Sequence, residues 1–255
     1  MVLNGVKAIF FDLDNTLIDT AGASKKAINE VMEVLIHKNQ FREEEAHKIC
    51  DMFQSKLLHE SLDSSKMTID DLRVQHWEEA MKEIRPGDQM DAARDCYFLW
   101  KTRRLQLMTL SESAKAMLCE LRKSASLLLL TNGEKQVQRE KIEACGAQQY
   151  FDAIVVGGEH AEEKPAPSIF FHCCDLLSVK PEDCVMVGDN LDTDIQGGLN
   201  AGLKATIWLK NSTYVVNNPH PKPHYTIHSL SDLPHILNQI HDTETKTIKG
   251  IHHQQ

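Results

Sequence analysis

The chain has 255 residues, a formal net charge of −9, and 25% charged against 42% hydrophobic residues, the make-up of a soluble globular protein with one large domain or a core that carries an insertion. The acidic balance argues against a nucleic-acid or anionic-membrane surface, so an anionic ligand must be held by a few local cations. Seven scattered cysteines, odd in number and without C-x-x-C spacing, suggest neither a disulfide framework nor a zinc site but buried thiols in a reducing compartment.

The first element is an apolar run of strand character from Val6 to Phe11, cut off by Asp12 and Asp14 and followed by Thr16. In an extended chain alternate side chains share a face, so Asp12 and Asp14 are expected to project together with Leu13 on the other side. Ser24 to about Lys38 reads as a helix, with Ile28, Val31, Met32 and Leu35 on an amphipathic stripe. Two or three further helices follow. Ile49, Phe53 and Leu57 recur every fourth residue, and Trp77, Ala80, Met81 and Ile84, like Ala93, Cys96, Tyr97 and Trp100, fit the i, i+3, i+4, i+7 template. No strand pattern occurs between residues 18 and 108.

From Ser111 onward short apolar runs alternate with helical ones: SLLLLT, EKQVQREKIEACG, FDAIVVGG, PSIFFHCCDLL, DCVMVGD, DIQGGLNAG and KATIWL. That alternation predicts an α/β fold, a doubly wound parallel sheet covered on both faces. The expected organisation is a core at residues 1–17 and 109–241, an inserted α-helical cap at 18–108 and a disordered tail at 242–255. The stretch NSTYVVNNPHPKPH, with Pro219, Pro221 and Pro223, reads as loop. Its Asn211-Ser212-Thr213 matches a glycosylation acceptor in spelling only. No cleavable signal pattern opens the chain and no run approaches membrane-spanning length, so a cytoplasmic protein is expected.

Open parallel sheets bind ligands beyond the carboxyl ends of their strands. Asp12 follows IFF, Thr131 and Asn132 follow SLLLL, Lys164 follows AIVVGGEHAEE, and Asp189 follows CVMVG. Taken singly, each has an ordinary explanation as a turn, a solvated lysine or a helix cap. Coinciding at four strand ends, they point to one pocket, and the chemistry such a pocket supports is phosphoryl transfer to a carboxylate. A phosphate beside an ionised Asp12 is repelled by about 4 kcal/mol at 4 Å and an effective dielectric of 20, so a cation is required. Mg²⁺ held by Asp12, the main-chain carbonyl of Asp14 and Asp189 would suit, with Lys164 as a second cation and Thr131 and Asn132 donating to the transferring oxygens. Asp12 would attack phosphorus, and Asp14 would protonate the departing alcohol and then activate water.

FFDLDNTL, LLLLTNG, Lys164 with Pro165, and VGDNLDTD together resemble the four motifs of the haloacid dehalogenase superfamily of phosphatases. The resemblance covers the core, and the helical insertion is similar to that family's cap. It implies Asp12 as nucleophile, Asp14 as general acid/base, Asp12, Asp14 and Asp189 as magnesium ligands, and Thr131, Asn132 and Lys164 as phosphate-binding residues. Asp194 matches the second acidic position of the last motif, one step outside the ligands, with Asp192 competing for that place and a helix-starting acid as the bland alternative. Dehalogenases lack an acid two residues after the nucleophile, so Asp14 favours phosphatase chemistry.

Within the family, the runs FFDLDNTLIDTAGAS, LLLLTNGEKQVQREKIEAC, EEKPAPSIF and VMVGDNLDTDIQGGLNAGLKAT are similar to a phosphatase of an acidic sugar phosphate. The expected partner is accordingly a small anionic sugar-phosphate substrate, with no nucleic acid, no membrane and a monomeric chain. A sugar carboxylate calls for a cation, and Arg73, Arg103 and Arg104 in the helical insertion are candidates. Rival readings are another small-molecule phosphatase, acting on phosphoglycolate or a generic sugar phosphate, a phosphomutase of the same fold, and a non-catalytic scaffold. Gly197, Gly198 and Gly202 do not fit a dinucleotide fingerprint, no G-x-x-x-x-G-K-[ST] is present, and the thirteen histidines show no H-E-x-x-H. Cys173 and Cys174 read as core residues of a helix.

Overall fold

Four consecutive buried apolar residues, Ala8–Phe11, form strand β1. Such an unbroken run is what a strand covered on both faces requires. The computed structural model describes residues 5–63, 65–210 and 220–240. β2 (Ser126–Thr131), β3 (Ala153–Val156), β4 (Cys184–Gly188), β5 (Ala205–Leu209) and β6 (Tyr225–Ile227) complete a six-stranded sheet in the order β3-β2-β1-β4-β5-β6. All five pairings are parallel. Chain order therefore reverses at β1, the place where an open sheet leaves a crevice. Phe11 is level with Leu129 of β2 and Val187 of β4, so Asp12, Thr131 and Asp189 all emerge at the same sheet end. β6 was not foreseen: three residues after a proline-rich run are too short for a period to show.

The chain divides into two compact units, one of which is Thr20–Met108. It consists of α1 (Thr20–His37), α2 (Glu43–Leu58), α3 (Ile69–Ile84) and α4 (Met90–Leu107). It has its own core, in which Phe53 stacks on Trp77 with ring centroids 4.1 Å apart and meets Trp100 edge-on at 5.2 Å. Aromatic pairs of this kind add roughly 0.5–1.5 kcal/mol each beyond the area they bury. α1 starts at Thr20, four residues before the expected Ser24, with Gly22 inside its first turn.

The other unit holds the sheet, α5 (Glu112–Leu121), α6 (Lys135–Ala144), α7 (Pro167–Leu177) and the short α8 (Gln196–Asn200). Side chains cap the first two, Ser111 accepting from Ala114 N and Glu134 from Val137 N. α7 opens on Pro167, whose missing N–H is no loss at that position. Among the described residues no helix is long and apolar enough to cross a membrane. Six of the seven cysteines are buried, and Cys174 and Cys184 face each other with sulfurs 3.8 Å apart. The segment carrying Asn211-Ser212-Thr213 and the expected tail at 242–255 lie outside the described residues.

Candidate active site

The turn after β1 sets the first carboxylate. Asp12 N still donates to Val187 O at 3.0 Å, as a continuing strand would, and then the chain folds back, with Leu13 O accepting from Thr16 N, Leu17 N and Ile18 N. Asn15 takes the left-handed conformation (φ 57°) that this reversal needs and that asparagine tolerates. Leu13 is fully buried, and Thr16 Oγ1 donates to Asp12 Oδ2 at 3.3 Å. The two acidic side chains find different partners: Asp12 meets Lys164, whereas Asp14 faces α6.

Lys164 is the hub. Its Nζ, 2% exposed as a residue, donates to Asp12 Oδ1 at 2.7 Å, Asp194 Oδ1 at 2.7 Å and Leu130 O at 2.8 Å. Carboxylate oxygens of Asp12, Asp189 and Asp194 lie within 4.8 Å of one another. Three carboxylates against one ammonium leave surplus negative charge in a buried place, which fits a hard divalent cation. Burial pushes Asp12 up to about 7, more than Lys164 draws it down, and Asp194 nearby adds to the rise. Asp189 is likewise pushed up to about 7, by burial first and by Asp194 second. Burial would lower Lys164, but the carboxylates of Asp12 and Asp194 prevail and hold it above the ordinary lysine value. These residues could therefore hold a metal ion. Asp194, read from sequence as lying one step outside the ligands, is brought into the carboxylate cluster itself, whereas the carboxylate of Asp14 turns to α6.

The last motif explains how Asp194 arrives there. Asn190 Oδ1 accepts from Asp192 N and Thr193 N, starting a π-helical turn over Leu191–Ile195. That turn leaves Asp192 exposed and Asp194 fully buried, with Asn190 N donating to Asp194 Oδ2 at 3.0 Å. The choice between the two acids, open in the sequence, falls to Asp194. Asp189 is steadied by Trp208, whose indole donates to the Asp189 carbonyl at 2.8 Å.

Thr131, 1% exposed, stands at the end of β2. The side chain of Asn132 forms a reciprocal pair with the Lys164 backbone, donating to its carbonyl at 2.7 Å and accepting from its N–H at 3.0 Å. The structure thus uses that amide to fix Lys164. Two residues that sequence reasoning passed over complete the site. Gln138 Nε2 donates toward Thr131 Oγ1 at 2.6 Å and Asp14 Oδ2 at 2.9 Å, and Lys141 Nζ reaches both oxygens of Asp14 at 2.8 Å. A signal for them existed. Gln138, Lys141, Ile142 and Cys145 fit the i, i+3, i+4, i+7 template, so two polar side chains occupy an apolar stripe.

The three arginines belong to the helical unit. Arg73 is buried and pairs with Glu60, and its guanidinium carbon lies 5.8 Å from the Trp100 ring. Arg104 covers the same ring at 4.7 Å. Arg103 makes a two-pronged pair with Glu30, at 2.6 and 2.9 Å. The structure therefore gathers Arg73 and Arg104 around one indole and leaves Arg103 engaged with Glu30.

A sequence model of the haloacid dehalogenase-like hydrolases matches residues 6–202. N-acylneuraminate-9-phosphatase of Rattus norvegicus is 60% identical over 241 residues, covering 94% of this chain and 97% of that protein. The Homo sapiens protein of the same name is 58% identical over the same shares. Among solved structures, the magnesium-bound HAD hydrolase YfnB of Bacillus subtilis aligns with a TM-score of 0.65 at 23% identity, over 91% of this chain and 99% of that one, a likeness of fold.

Proposed function

Because the chain belongs to the haloacid dehalogenase-like hydrolases, we propose that it is a Mg²⁺-dependent phosphatase that hydrolyses N-acylneuraminate 9-phosphate to the free sugar and inorganic phosphate. In this reading it acts in the cytoplasm, as a monomer, at the phosphate-removing step of sialic acid synthesis. The observation that carries the chemistry is the contact of Lys164 with Asp12, 152 residues apart in sequence and 2.7 Å apart in space, inside a cluster of carboxylates.

An oxygen of Asp12 attacks phosphorus, the bond from phosphorus to the sugar oxygen breaks, and Asp14 hands that oxygen a proton. Asp14 then takes a proton from the water that attacks the aspartyl-phosphate, releasing inorganic phosphate and restoring Asp12. Lys164 stays charged throughout, so it offsets the repulsion between Asp12 and the incoming phosphate, and the Thr131 hydroxyl donates to a phosphoryl oxygen. Asp12, the main-chain carbonyl of Asp14 and Asp189, with Asp194 beside them, would hold Mg²⁺, which when bound supplies further positive charge to the transferring group. Arg73 and Arg104, flanking Trp100, are the candidates for the sugar carboxylate.

The test is initial-rate hydrolysis of N-acylneuraminate 9-phosphate, phosphoglycolate and glucose 6-phosphate, with products followed for inorganic phosphate and for isomeric sugar phosphate. The reading predicts kcat/KM at least about tenfold higher for the first substrate, since a site built around a polar group rejects compounds lacking it. Equal turnover of all three, or an isomeric sugar phosphate in place of inorganic phosphate, would overturn it.

A further inference from the structure

Two side chains of α6 that the steps above leave unused reach the acid/base carboxylate. Lys141 and Gln138 are 5% and 2% exposed, although lysine and glutamine on a helix ordinarily point to water. A buried ammonium is costly unless a counter-charge meets it. Here the counter-charge is Asp14, 127 residues away, with both of its oxygens 2.8 Å from Lys141 Nζ. The Glu134 cap on Val137 N fixes where α6 begins, and so where residues 138 and 141 stand.

Gln138 links that carboxylate to the phosphate side of the site. Its Nε2 lies 2.9 Å from Asp14 Oδ2, 2.6 Å from Thr131 Oγ1 and 2.7 Å from Asn132 O. One amide nitrogen carries two hydrogens, so it cannot serve three acceptors at once. Of the three, Asp14 is the acceptor to which Lys141 also donates. Lys141 thus pairs with both oxygens of Asp14, while Gln138 relates that place to the Thr131 hydroxyl.

We propose that Lys141 is a positioning residue for Asp14, holding the carboxyl group where, once it carries a proton, it can pass that proton to the departing sugar oxygen. The inference rests on the reading of Asp14 as the acid/base of a phosphatase. It separates two kinds of leaving group. An alkoxide needs a proton as it leaves, whereas 4-nitrophenolate departs as a stable anion and gains little from a placed acid.

Single-turnover leaving-group release by the full chain, with N-acylneuraminate 9-phosphate and with 4-nitrophenyl phosphate, reads this difference directly. Lys141→Met is expected to slow sugar release at least about tenfold more than nitrophenolate release, within the range general acid catalysis supplies. The loss should fall in kcat rather than KM, and Lys141→Arg should recover most of it. Equal slowing of both substrates, or of neither, would overturn the proposal. If Lys141→Met does not fold by circular dichroism, Lys141→Gln reads the same ratio with a buried polar chain in place. Asp14→Asn separates the two levels of the argument. Undiminished sugar release in that variant removes the acid/base assignment, whereas its loss there without a selective loss in the Lys141 variants rejects the positioning role alone.

Discussion

At the scale of single residues, the site is a problem of charge in a dry place. Asp12 and Asp189 are each pushed up to about 7, chiefly by burial, with Asp194 raising both further. A carboxyl must lose its proton before it can ligate a metal, so metal binding and proton release are linked. Below the raised value each proton must be expelled by the incoming ion, and above it the ligand is ready. The expected outcome is that Mg²⁺ affinity, followed by calorimetry, strengthens from about pH 6 to about pH 8, with protons released at the lower pH. An affinity that is flat over that range would show that these carboxyls are already ionised without metal. Lys164 supplies the fixed positive charge against which both carboxyls are balanced. Its place was suggested in the sequence by the loop that follows the AIVV run, where it precedes Pro165. Its partner Asp194 was legible only as one of two acids, since the turn that buries one and exposes the other rests on the hydrogen bonds of Asn190.

At the scale of elements, the strands place the chemistry and the helices correct its aim. β4 ends on Gly188, where an added Cβ would lie 2.1 Å from Asp194 Oδ2 and 2.3 Å from its Cγ. No side chain fits there unless Asp194 moves. Gly188→Ala is therefore expected to weaken Mg²⁺ binding along with activity and to destabilise the fold by about 1–3 kcal/mol, the usual range for overpacking. Gly202→Ala is the control: its φ of 70° makes it strained, but nothing stands within 4 Å, so it should lose about 1 kcal/mol of stability with metal affinity kept. Calorimetric metal titration and thermal unfolding of both variants decide this, and unchanged metal binding in Gly188→Ala would refute the close fit. Strands such as SLLLLT announce their own ends, because a polar residue after a buried run has few other reasons to be there. Gln138 and Lys141 left only the trace of two polar residues on the stripe of Ile142 and Cys145. A polar residue within a helix reads as solvated until a carboxylate 124 or 127 residues distant comes to face it.

At the scale of the whole molecule, one sheet brings together side chains that the chain keeps far apart. The parallel sheet was foreshadowed by the alternation of apolar runs and helices, and the reversal at β1 puts Asp12, just past that strand, at the crevice. The three-residue β6 and the inward turn of Asp194 were not legible, because neither leaves a periodic trace. What unites the strand ends is a single proposed event, transfer of a phosphoryl group to Asp12. The most direct measurement is to mix the protein with substrate and Mg²⁺, quench in acid within one turnover and map the labelled peptide by mass spectrometry after borohydride reduction. The account predicts that the acyl-phosphate is found on Asp12 and nowhere else, and that Asp12→Asn yields neither label nor phosphate release while unfolding like the parent. A label on another residue, or normal phosphate release by Asp12→Asn, would contradict it.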